Sequence, residues 1–289
     1  MLIVPYAAGG SSDIHARIFA QGLKKYLGQP VVVQNIPQSG SLAGHLELKK
    51  AAPDGYTLGM LAPAGLITVQ HMFKEGPNAS AFEPIALLIA NFYMLGVSEK
   101  SGFKTLQEVI AFGKKNPKKL LMGINPGAGT HLTTILMMRA MGIEPNYVPS
   151  KSSGDRRTAL AGGHLDMTVD TMASFQSMVD AKKIRVIACS SEKRIDMFGN
   201  VPTFLEQGVN FVYTGWNGIY APAGIPKEII RILETALTKI STDEEFVKLL
   251  KQSRHYLQVV YGDESKKFFA QEEAKYGPLF KELGLEKAN

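Results

Sequence analysis

The stretch Leu2-Ile3-Val4-Pro5-Tyr6-Ala7-Ala8-Gly9-Gly10-Ser11-Ser12, running on into Asp13 to Leu27, decides the fold. Its first residues are a short β-branched, apolar run of the kind that fits a buried strand. Beyond the glycines, Ile14, Ile18, Phe19, Leu23 and Leu27 recur at helical spacing. The order is therefore strand, glycine loop, helix, with Ser11 or Ser12 as the expected N-cap. Val31-Val32-Val33 reads as a second buried strand, and the small-residue loop from Pro37 to Gly44 leads into another helix. Pro53-Asp54-Gly55 marks a turn and Thr57 to Leu61 a third strand. Strand and helix alternate through this region, which predicts a parallel sheet covered by helices on both faces.

The alternation resumes downstream. Thr105 caps an expected helix through Lys115, and Leu120-Leu121-Met122 is a strand. A second glycine loop, Asn125-Pro126-Gly127-Ala128-Gly129-Thr130, opens a helix from His131 to Met141. Met167 to Val169, Val186 to Cys189 and Trp216 to Pro222 supply further strands. Ile229, Ile230, Leu233, Leu237 and Ile240 share one helical face, and two helices follow, around Glu244 to Leu250 and Asp263 to Leu283. The expected class is α/β, with two lobes, each a sheet flanked by helices. The length of 289 residues agrees, at roughly 150 residues per domain.

Composition removes several alternatives. Hydrophobic residues make up 45% and charged residues 20%, the balance of an ordinary globular chain. The single cysteine, Cys189, leaves no intrachain disulfide framework and reads as a core thiol. The net charge of +6 comes largely as Lys doublets dispersed over expected helix ends, a pattern unlike a nucleic-acid interface. The histidines, His15, His45, His71, His131, His164 and His255, lack metal-ligand spacing. No G-x-S-x-G elbow, H-E-x-x-H helix, G-x-G-x-x-G fingerprint or phosphate loop is present. Neither a metal nor a cofactor is expected, and no catalytic residue is assigned.

The two glycine loops remain as functional candidates. Free N–H groups and the positive dipole end at a helix start make an anion site without any formal charge. Affinity should then depend on loop geometry, and Gly129 is expected to need a conformation that a β-branched side chain disfavours. Asp166 and Asp170 bracket the strand Met167 to Val169, and Asp170 at its end could reach a cleft. Trp216 reads equally as core filler or as a cleft-lining residue.

The residues carry a further likeness. Leu2 to Gly10, Ser12-Asp13-Ile14 and Ala16-Arg17 resemble the start of the tripartite tricarboxylate transporter solute-binding proteins, the Bug or TctC family. The resemblance continues through Leu27 to Val33, Asn35 and Ala51 to Leu58. It returns at Gly163-His164-Leu165-Asp166, Val201-Pro202-Thr203, Glu206-Gln207-Gly208 and Ala221 to Pro226. It implies a two-lobed periplasmic-binding-protein fold of the Venus-flytrap, type II-like kind, with lobe 1 formed by residues 1–98 and 217–289, lobe 2 by 99–216, and a ligand cleft between them. It implies a monomeric periplasmic receptor that captures a small mono-, di- or tricarboxylate and delivers it to membrane permease subunits, with no nucleic-acid partner. An enzyme on a small anionic substrate and a ligand-sensing subunit for a signalling partner are the alternatives.

Carried onto this chain, the family's ligand contacts are Tyr6, Ala7, Ala8, Gly9, Ser11, Ser12 and Ala62 in the first lobe, and Asn125, Gly127, Gly129 and Thr130 in the second, with Asp170 near the opening. The chain departs from the family pattern in reading Ser11-Ser12-Asp13 for Gly-Thr-Asp and Pro37-Gln38-Ser39-Gly40-Ser41 for Pro-Gly-Ala-Gly-Gly. Its second-lobe loop is a residue or two shorter. The resemblance also implies an export signal, and the chain opens directly on its first strand, as a sequence with that signal removed would.

Overall fold

We describe residues 1–285 of a computed structural model of the chain. In chain order the elements are β1 (Leu2–Val4), α1 (Ser11–Leu27), β2 (Val33–Asn35), α2 (Leu42–Lys50), β3 (Leu58–Leu61), α3 (Pro63–Met72) and β4 (Phe82–Ser98). Then follow α4 (Leu106–Lys115), β5 (Leu121–Ile124), α5 (Gly129–Met141), β6 (Asn146–Pro149), α6 (Ser153–Gly162), β7 (Met167–Thr171), α7 (Met172–Asp180) and β8 (Ile184–Cys189). The chain continues with β9 (Thr214–Pro222), α8 (Lys227–Thr242), α9 (Glu244–Gln252), β10 (Tyr256–Tyr261) and α10 (Gly262–Glu282).

These elements form two compact units. Unit 1 comprises Met1–Ala90, Gly127–Gly129 and the chain from Trp216 onward; unit 2 comprises Asn91–Pro126 and Thr130–Gly215. The passages from one unit to the other at Ala90 and Gly215 fall inside strands β4 and β9.

In unit 1 the sheet runs β2-β1-β3-β9, with β1, β2 and β3 parallel and β9 antiparallel to β3. In unit 2 it runs β6-β5-β7-β4, again three parallel strands followed by one antiparallel strand. The β-α-β-α-β-α order and the placing of the first strand in the middle are therefore repeated. Each parallel strand leads through a loop of at most six residues into its helix, so three helix N-termini gather at the carboxyl ends of the strands in each unit, the usual ligand end of such sheets.

The unit 1 core packs Phe19 and Leu23 of α1 with Leu233, Leu237 and Ile240 of α8. Gly22 makes this approach possible: a Cβ there would lie 2.9 Å from the Ile240 side chain. In unit 2, Leu160 of α6, Leu165, and Phe175 of α7 are buried together under Met94 of β4. The expected cap of α4 is a full capping box, in which Thr105 Oγ1 accepts from Glu108 N at 3.2 Å and Glu108 Oε2 from Thr105 N at 3.2 Å.

Several expectations need correction. The second strand is Val33–Asn35 rather than Val31 to Val33, and Val32 is 67% exposed. The N-cap of α1 is Gly10, which has no side chain to cap with; Ser11 and Ser12 already lie inside the helix, and the Ser12 hydroxyl accepts from Asn217. Helix α5 begins at Gly129, two residues before His131. Strands β4, β6 and β10 were not anticipated. In β4 nearly every residue is buried on both faces, so no alternation marks it as a strand.

Candidate functional site

The first-unit group surrounds the carboxyl ends of β1 and β3. Tyr6, Ala7, Ala8, Gly9 and Gly10 connect β1 to α1, and Ser11 and Ser12 lie in the first turn of α1. Gly9 has φ of +77°, the left-handed conformation that favours glycine. Its N–H donates to Asp13 Oδ2 at 2.8 Å. Arg17 and Asn35 also donate to the Asp13 carboxylate, at 3.1 and 3.0 Å, and Asn35 Nδ2 reaches Tyr6 O at 3.1 Å. Burial opposes ionisation of Asp13, but the hydrogen bonds from Arg17, Gly9 and Asn35 outweigh it and hold the carboxyl below its usual range. Asp13 and Asn35 thus fix the loop's shape, a role the sequence reading missed.

Ala62 is the N-cap residue of α3, whose first residues are Pro63, Ala64 and Gly65. Tyr6 packs against this turn so closely that a Cβ on Gly65 would sit 2.1 Å from the Tyr6 hydroxyl. Gly127–Gly129, expected in the second-lobe group, packs within unit 1. The Ser41 hydroxyl donates to Gly127 O at 3.0 Å, and Gly127 has φ of +82° with Gly40 O lying 1.9 Å from the position of a Cβ. Gly129 differs from expectation. It starts α5 without a positive φ, and a Cβ there would meet Ala64 at an ordinary 3.4 Å. The glycine requirement of this loop therefore rests on Gly127.

The second-unit group lies at the carboxyl ends of β5, β6 and β7. Asn125 follows β5 and is half-buried, and Thr130 lies in the first turn of α5. Ser152 caps α6 and Thr171 caps α7. Asp170, at the end of β7, is 1% exposed. Its Oδ2 accepts from Arg156 Nη2 at 2.9 Å and from the Ser153 hydroxyl, while Oδ1 accepts from Thr171 N at 2.8 Å. Arg157 Nη1 lies 3.7 Å away. Burial lowers the pKa of Arg156, against the pull of the adjacent carboxylate. The glycine loops carry no basic side chain, yet α6 brings this cation to the same end of the sheet.

The remaining candidates settle as structural residues. Cys189 is a buried free thiol whose pKa is raised by burial. Asp166 Oδ2 accepts from Leu121 N at 2.8 Å. Trp216 is buried against Phe268, with ring centroids 5.8 Å apart. Among the described residues, no group of three or more His, Cys, Asp or Glu side chains could hold a metal, and no helix is long and apolar enough to cross a membrane.

The sequence model described as "Tripartite tricarboxylate transporter family receptor" matches residues 15–285. This chain belongs to that receptor family. A Cupriavidus necator relative, the UPF0065 protein in the gbd 5' region, is 33% identical over 290 residues, spanning 99% of this chain and 88% of the relative. The solved periplasmic binding protein BugD superposes with a TM-score of 0.91 at 27% identity, covering 99% of this chain and 98% of that one. The R. palustris protein Rpa4515, solved with adipate, has a TM-score of 0.91 at 25% identity, covering 99% and 97%. The family consists of solute-binding receptors, not enzymes, and the fold is that of the periplasmic binding proteins.

Proposed function

We propose that this receptor works in the periplasm, captures a small organic carboxylate at its glycine loops, and delivers it to the membrane subunits of a tripartite tricarboxylate-type transporter. One observation carries the reading: helix N-termini gather at the carboxyl ends of the parallel strands, and Asp13, accepting from the Gly9 N–H, fixes the glycine loop that leads into the first of these helices. The adipate bound to the R. palustris relative supports a dicarboxylate as ligand class. Tyr6, Ala7, Ala8, Gly9, Ser11, Ser12 and Ala62 are the first-unit contacts in this reading, with Asn125, Gly127, Gly129 and Thr130. Asp170 contributes by anchoring Arg156.

A melting screen with succinate, glutarate, adipate and citrate tests it. An acid present at 100 times its Kd adds about 2.7 kcal/mol to the folded state, so at least one should raise Tm measurably. If none does, and calorimetry finds no binding, the receptor reading fails. Uptake of the bound acid by vesicles containing the membrane subunits, dependent on added receptor, tests delivery.

A further inference from the structure

A chain of hydrogen bonds runs through unit 1 from the glycine loop into the core. Asn217 Nδ2 donates to Ser12 Oγ at 2.9 Å, His15 Nδ1 meets Asn217 Oδ1 at 3.2 Å, and His15 Nε2 meets His255 Nδ1 at 2.8 Å. Asn217, His15 and His255 are all buried, at 3%, 0% and 4% exposure. The far end is closed: His255 Nε2 is buried with no hydrogen-bond partner among the described residues.

That closed end sets the direction of every link. A buried N–H without an acceptor is rarer and more costly than a buried lone pair without a donor. His255 therefore keeps Nε2 bare and carries its proton on Nδ1, donating to His15 Nε2. His15, protonated on Nδ1, donates to Asn217 Oδ1, which turns the Asn217 amide N–H toward Ser12. Burial lowers the pKa of both imidazoles, reinforced for His15 by the neighbouring His255, so the pair is neutral at pH 7. Ser12 Oγ must accept, and its own proton is left to point away from the chain.

We propose that Asn217, oriented by His15 and His255, is a specificity-determining positioning residue that fixes the Ser12 hydroxyl as a donor, so that the first-unit loop selects an ionised carboxylate over a neutral amide. The inference rests on the reading of this loop as the ligand site. In this reading Asn217 acts on the ligand through Ser12.

Two measurements test it. Nitrogen-15 imidazole spectra of the ligand-free wild type should show both His15 and His255 as neutral Nδ1–H tautomers at pH 7; Nε2–H tautomers would overturn the proposal whatever the receptor binds. The second is a mutant cycle of Ser12→Ala, Asn217→Leu and the double variant. The probe is whichever of succinate, glutarate or adipate shifts melting most, paired with its diamide. Each single variant should lose roughly five- to tenfold in carboxylate affinity and most of the acid-over-amide preference. The double variant should be no weaker than Ser12→Ala alone. Losses that multiply, or an Asn217→Leu variant with unchanged preference, sink the proposal while leaving the receptor reading intact. A wild type that binds none of the acids sinks the receptor reading instead, and the spectra still decide the direction of the chain.

Discussion

Arg156 and Asp170 form an ion pair at 2.9 Å in which both side chains are 1% exposed. Removing one partner of such a pair leaves a buried charge uncompensated, a loss of about 3–5 kcal/mol. Asp170→Ala should lower the urea midpoint accordingly. The apolar double variant Arg156→Met/Asp170→Leu should recover much of that loss. A midpoint for Asp170→Ala equal to wild type would show that the pair does not hold this end of unit 2.

Gly127 and Gly129 should respond in opposite ways. Gly127→Ala places a Cβ 1.9 Å from a backbone oxygen at a φ of +82°, so the loop must move. Ligand affinity should fall at least tenfold. Gly129→Ala adds a methyl at ordinary contact distance and should leave affinity within about threefold. Calorimetry on the two variants, each first checked for its melting temperature, separates them.

Asp13→Ala should weaken binding without removing any ligand contact. It releases the Gly9 N–H and frees Asn35 from one of its anchors on the loop. We expect roughly tenfold weaker binding and faster amide exchange at Gly9. Because the folded carboxyl is held below its usual range, its contribution is present at neutral pH and is lost as pH falls through the folded value.

Acid should destabilise the receptor by a second route. Burial depresses His45, His131 and His255 from 6.5 to about 4, and His15 well below its usual value. Unfolding returns them to ordinary values, so between pH 6.5 and about 4 the unfolded chain binds protons that the folded chain refuses. Stability should be full above pH 6.5, decline steadily through that window, and not recover below it, because the depressed Asp13 carboxylate is protonated there in turn. Urea midpoints at pH 7, 6, 5 and 4 check this; a flat profile contradicts it.

Much of the scaffold was legible because its signals are local. The apolar face of α8, the Thr105 cap of α4 and the glycine loop after β1 each depend on residues within a few turns of one another. The site's supports are not local. Asn217 meets Ser12 across 205 positions and His15 meets His255 across 240, distances at which no sequence pattern records a partner. Strand β10 escapes for another reason: Leu257, Val259 and Tyr261 alternate toward the core, but apolar Tyr256 and Val260 on the other face blur that period in so short a run. Asp170 stands out at a strand end, but the neighbour that occupies it, Arg156, sits on α6 with nothing in the sequence to mark it as buried.

The strand crossings impose an order of assembly on the chain. Residues 91–126 and 130–215 are synthesised without interruption by more than the short Gly127–Gly129 segment, so unit 2 is complete soon after Gly215 emerges. Unit 1 has to wait, since β9 seals its sheet beside β3 and α8 covers α1. In a chain delivered across a membrane from its amino terminus, α1 (Ser11–Leu27) lacks its packing partner until the helix that begins at Lys227 has followed it. The amino-terminal region, made first, is therefore among the last to become native.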